Sequence, residues 1–99
     1  MELPKPLAFD WDGGNEEKSL LKHRVTKAEC EEAFQDLAKV IFADIRHFDR
    51  EERFILLGKT KQDRLLFISF TVRSEGTKVR IISARDINNK QEKPYYEKK

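Results

Sequence analysis

Two arginines bracket a short apolar run late in the chain, Arg80-Ile81-Ile82-Ser83-Ala84-Arg85. Arginine suits a forked grip on phosphate, and with the Ser83 hydroxyl between them the pair has the donors to hold a nucleic-acid backbone. In a regular strand Arg80 shares a face with Ile82 and Ala84, whereas Arg85 lies with Val79, Ile81 and Ser83, so a single site using both requires a bulge or a strand end. His23 follows Lys22. An imidazole titrates near neutrality, yet a cation at a helix C-terminus or a half-buried histidine paired with a carboxylate accounts for the same residue. Glu51 and Arg53 are two apart, on one face of a strand, where an ordinary local ion pair is the simplest reading. Tyr95 and Tyr96 suit either stacking on a base or anchoring the tail to the core. Asp10 and Asp12 suit either a shared divalent cation or the turn entering Gly13-Gly14. No Gly-rich phosphate loop, nucleophile elbow or cysteine pair occurs, which excludes nucleotide hydrolases, the common serine hydrolases and thiol oxidoreductases. Cys30 with His23 and His47 makes neither a disulfide nor a zinc site, so no cofactor or structural metal is expected.

Positioning such residues requires particular elements. Leu7, Phe9 and Trp11 alternate with Ala8, Asp10 and Asp12, predicting a half-buried strand that ends at Gly13-Gly14. Asn15 can cap a helix over residues 16–23 with Leu20 and Leu21 as its apolar stripe. Thr26-Lys27-Ala28-Glu29 has the capping-box form and opens a second helix burying Cys30, Ala33, Phe34 and Leu37. Val40, Ile41, Phe42 and Ile45 predict a strand, followed by a polar loop over residues 46–52. Residues 54–57, 65–72 and 78–84 are three apolar runs joined by short polar connections with a glycine, hence an antiparallel meander. Its middle run is apolar on both faces, so it is central and covered on each side, the two N-terminal helices supplying one cover. After Ile87 a terminal helix is expected, kinked by Pro94 unless a turn begins there with proline at its first position.

The 99 residues suit one domain, residues 1–99, and 38% hydrophobic with 38% charged residues exclude disorder and collagen-like repeats. No apolar run approaches the roughly 20 residues that span a bilayer and no secretory signal is evident, predicting a soluble, cytoplasmic protein. Charge is blocked along the chain: net −4 over residues 1–17, +4 over 18–28, −5 over 29–52 and +5 over 53–86. A fold that joins the two basic blocks presents a positive surface attractive to phosphates, although solvated faces of ordinary elements account equally for the blocks.

Phe9-Asp10-Trp11-Asp12, then Lys22-His23, Val25-Thr26 with Glu29, Glu51 and Arg53 with Gly58, and finally Arg80-Ile81-Ile82-Ser83-Ala84-Arg85 resemble the successive motifs of the BrnT-type ribonuclease toxin family. The resemblance covers residues 7–97 and rests on the order and spacing of FDWD and RIISAR. It implies a RelE-like α+β fold, a small antiparallel sheet of about four strands packed against two N-terminal helices and a short C-terminal helix. It implies metal-independent endonucleolytic cleavage of RNA, a cognate ribbon-helix-helix antitoxin, and operator DNA reached through that antitoxin. The departures are Arg24 where the family usually has Gly, Asn15 and Ser19 in the first helix, Gln91 for a Glu, and Pro94 before Tyr95.

In such a nuclease the ribose 2′-OH attacks the adjacent phosphate, which calls for a general base, cations at the phosphate oxygens and an acid at the leaving oxygen. His23 is the expected base. Lys22, Arg53, Arg80 and Arg85 are the expected phosphate cations, Glu51 orients Arg53 or acts as a base, and Tyr95 is an acid or a stacking surface. The same basic face also fits a module that binds an antitoxin or a nucleic acid without turnover.

Overall fold

The computed structural model describes residues 1–12, 22–47 and 51–98. Four strands, β1 (Val40–Ala43), β2 (Phe54–Lys59), β3 (Leu65–Arg73) and β4 (Lys78–Asp86), form an antiparallel meander in that order. The β3–β4 turn places Ser74, Glu75 and Gly76 in succession in the left-handed region, and Thr77 N–H closes it on the Arg73 carbonyl. β3 is central, as its two apolar faces require. Leu66, Ile68 and Phe70 point to one side and join Leu56, Val79, Ile81 and Ala84; Leu65 and Phe67 point to the other beside Ile55 and Leu57.

Helix α1 (Lys27–Gln35) covers the first side. Both bonds of the capping box form: Glu29 N–H donates to Thr26 Oγ1, and Thr26 N–H to the Glu29 carboxylate. Its Cys30, Ala33 and Phe34 are buried, with the Phe34 ring edge-on to Phe70 at 5.0 Å. A buried pair of this kind contributes about 0.5–1.5 kcal/mol beyond the area it removes from water. Burial pushes the Cys30 thiol up to about 12, so it packs as a neutral side chain.

Leu37, expected in the core, is instead 97% exposed. The helix stops at Gln35 because Asp36 turns extended and spends its carboxylate on the N–H groups of Ala38 and Lys59, which fastens the turn to β2. Ile45 likewise leaves the predicted strand for a 3₁₀ turn, Ile45–His47, which occupies the start of the expected polar loop. The predicted strand over residues 7–12 reduces to a parallel bridge of Phe9 to Val79, held by Val79 N–H to Ala8 O and Asp10 N–H to Val79 O. Of the helix expected over 16–23, Lys22 and His23 are helical and the remainder lies outside the described residues. On the first side, the cover expected from two N-terminal helices therefore comes from α1 alone among the described helices, while Tyr96 packs on the other. Helix α2 (Lys93–Glu97) takes Pro94 in its first turn, where the missing N–H costs nothing, so no kink forms.

Candidate active site

A bulge in β4 decides where its arginines point. Ser69 pairs with Ser83, but Phe70 pairs with Ile81, leaving Ile82 as the extra residue. Arg80 thereby stands opposite Thr71 and Arg85 opposite Phe67. Thr71 and Phe67 lie four apart on β3 and share a face, so the two arginines share it too, where a regular strand would have opposed them. This is the side away from α1. Arg53, just before β2, continues the alternation of Ile55 onto the same face, its backbone held by Asp44 N–H to Arg53 O and by the buried Thr71 hydroxyl donating to Glu52 O. Arg73 and its partner Lys78 extend the face, and Glu51 pairs there with Arg73 at 3.3 Å, not with its sequence neighbour Arg53.

Each β4 arginine already holds carboxylates. Arg80 contacts Asp12 at 2.8 Å and Asp10 at 3.6 Å, a bond that raises its pKa further despite burial. Asp10 and Asp12 thus face a guanidinium, and among the described residues no three His, Cys, Asp or Glu side chains converge as a metal site. Arg85 lies over the Phe67 ring at 3.9 Å and forks onto Glu92 at 2.7 and 2.9 Å, which holds the Glu92 carboxyl below its usual range against the opposing effect of burial. Glu92 also accepts from Asn88 N–H, closing the turn that leads into α2. A carboxylate fork has the geometry that a phosphate would take on the same guanidinium.

The two tyrosines separate in role. Tyr96 anchors the tail, its hydroxyl donating to Asp36 at 2.7 Å with the Lys59 ammonium over its ring; burial and Asp36 push it up to about 12. Tyr95 is 62% exposed beside the Arg85 end of the sheet, one helical turn past Glu92.

Lys22 and His23 belong to the other side of β4. Lys22 is exposed and His23 half-buried; Arg24 then enters the left-handed region at φ 54°, and Val25 is buried. Asp86, paired with Leu66, points toward α1, and Arg64 binds it at 2.7 Å while donating to the His23 carbonyl at 3.3 Å. The Arg64 bond holds Asp86 below its usual range against its partial burial, and His23 adds to that. The structure thus gathers Glu51, Arg53, Arg80 and Arg85 on one face with Tyr95 at its end. His23 and Lys22 stand around the edge of β4, at the end where Asp86 follows Arg85. Sequence reasoning missed Arg64, Asp86 and Glu92. Only the acid of the capping box, Glu29, hinted at this network, since it also receives Arg64 at 3.0 Å.

No curated protein matches the chain. A family model described as the ribonuclease toxin, BrnT, of type II toxin-antitoxin systems matches residues 11–91 of the 99, and the chain belongs to that family.

Proposed function

We propose that the protein is a metal-independent endoribonuclease that cleaves cellular RNA in the cytoplasm, arrests growth, and is silenced by a ribbon-helix-helix antitoxin bound over its basic sheet face. The observation that carries this reading is the β4 bulge, which turns Arg80 and Arg85 onto one face with Arg53 and Glu51. A phosphodiester laid along that face exchanges the Glu92 and Asp12 carboxylates for its own oxygens. Cations then stand where negative charge grows on the phosphate oxygens. His23 takes the proton of the ribose 2′-OH, which attacks the adjacent phosphorus and expels the 5′ oxygen, leaving a 2′,3′-cyclic phosphate and a 5′-OH. Lys22 stands beside it as a further cation, Glu51 holds the arginine row in place, and exposed Tyr95 stacks on a base or protonates the leaving oxygen. The nucleophile belongs to the substrate, so the chemistry asks for no metal. The RelE-like architecture and repression of the operator through the antitoxin complete the reading.

Purified protein incubated with RNA in the presence of a chelator is expected to yield cyclic-phosphate and 5′-OH ends. His23→Ala and Arg85→Ala are each expected to remove cleavage and growth arrest while thermal stability and antitoxin binding persist. Full activity in both variants removes the proposed site, and loss of wild-type activity to the chelator removes metal independence. The carboxylates already seated on Arg80 and Arg85 favour a second reading, a binding module without turnover. A chain that binds antitoxin tightly but neither cleaves RNA nor slows growth selects it.

A further inference from the structure

Arg64 spends all three of its guanidinium nitrogens on four groups from three places in the fold. Nε and Nη2 fork onto the Asp86 carboxylate at 2.7 and 3.3 Å. Nη1 reaches the Glu29 carboxylate at 3.0 Å and the Arg24 carbonyl at 2.9 Å, and Nη2 also reaches the His23 carbonyl at 3.3 Å. The backbone of Arg64 is itself fixed, its N–H donating to Thr60 Oγ1 and its carbonyl accepting from Thr60 N–H. The two carbonyls it binds belong to His23, which is helical, and to Arg24, which follows it in the left-handed region. Only a planar fork with five donors satisfies two carboxylates and two carbonyls together; an ammonium is a single point.

The geometry has a consequence for the reaction. Nη1 and Nη2 hold the backbone at Arg24 and His23, from which the His23 ring projects, and Nε and Nη2 hold Asp86, the residue after Arg85 in β4. Resting on the assignment of His23 as the proton-transfer residue, we infer that Arg64 is a positioning residue. Its guanidinium ties the His23 and Arg24 carbonyls to the end of β4 and so holds the imidazole in fixed relation to Arg85. Arg64 touches neither RNA nor the migrating proton in this arrangement; it acts through His23.

The test is Arg64→Lys, which keeps the charge and loses the fork. Its kcat on RNA is expected to fall by up to about 100-fold, the cost of misplacing a reacting group by about 1 Å, with KM within about twofold of wild type. The His23 Cε1–Hε1 resonance is expected to move. Ile68→Val, a core change remote from Arg64, is the control: it lowers the melting temperature and leaves kcat and the His23 resonance at wild-type values. Should Arg64→Lys fail to fold, Glu29→Gln serves instead, since glutamine preserves the capping box and removes one charged arm of the fork; it is expected to lower kcat less and to shift the His23 resonance in the same direction. Wild-type kcat with an unmoved His23 resonance overturns the inference, and so does a loss confined to KM. A wild-type chain that cleaves no RNA overturns the nuclease reading and not the tie, which the His23 resonance decides by itself.

Discussion

Gly58 is where α1 meets the sheet most closely, and replacing it with alanine is a direct measure of that contact. A Cβ built there stands 2.5 Å from the Ala33 carbonyl oxygen, 2.8 Å from Leu56 Cδ2 and 3.1 Å from the Ala33 carbonyl carbon. Ordinary non-bonded contact is about 3.5 Å, so the helix must retreat by roughly 1 Å. Leu56 is fully buried and cannot swing aside, and the nearest atom is backbone, so trimming the Ala33 side chain gives no relief. Overpacking of this kind costs about 1–3 kcal/mol. Removing a glycine from a strand interior returns about 0.5–1 kcal/mol. The net loss for Gly58→Ala is up to about 2.5 kcal/mol, a melting temperature lower by up to about 20 °C in a chain of this length. The helix that moves carries Glu29, one arm of the Arg64 fork, so amide shifts are expected along α1 and at residues 23–25. Gly76→Ala is the contrast: nothing lies within 4 Å of its Cβ, and the cost is backbone strain at φ 86° with no displacement of α1. Thermal melts and amide spectra of the two variants decide the matter. A Gly58→Ala protein as stable as wild type, with α1 amides unmoved, refutes the close-packing account.

Arg24→Gly is expected to raise stability by up to about 1.5 kcal/mol, because a side chain at φ 54° is strained by about 1–2 kcal/mol and glycine gives back about 0.5–1 kcal/mol of that gain as freedom in the unfolded chain; a lower melting temperature contradicts it. Glu29, Asp86 and Glu92 titrate below their ordinary values in the folded protein, Glu29 mainly through the Thr26 N–H and the other two mainly through Arg64 and Arg85, so these hydrogen bonds and ion pairs contribute fully above about pH 4.5 and are lost as pH falls through the lowered values. Melting temperatures measured downward from pH 5 should therefore drop, and the drop should shrink in Arg64→Lys. Leu37→Ala, at a residue almost wholly in solvent, should change stability by less than about 0.5 kcal/mol, whereas a large loss on chemical denaturation would restore Leu37 to the core.

The meander, the start of α1 and the side chains suited to phosphate were legible in the sequence because each depends on neighbours in the chain. Alternation of apolar residues makes β3 two-faced wherever it lies, and Thr26 closes a capping box with Glu29, three positions on, without help from elsewhere. The end of α1 was not legible: Leu37 keeps helical spacing, but Asp36 finds better partners in Lys59 N–H and the Tyr96 hydroxyl, 23 and 60 residues away. The arrangement of the candidate site belongs to tertiary structure for the same reason. One extra residue in β4 turns Arg80 and Arg85 to the same side, and nothing in RIISAR announces which residue is left out of the ladder. Arg64 stood in a polar turn with no motif around it, and its partners come from residues 22 to 41 positions distant. Local spacing determines what a segment can form and which groups it carries. Which carboxylate meets which guanidinium is decided only when the sheet closes, because an ion pair or a bulge is chosen by the whole set of groups that folding brings within reach.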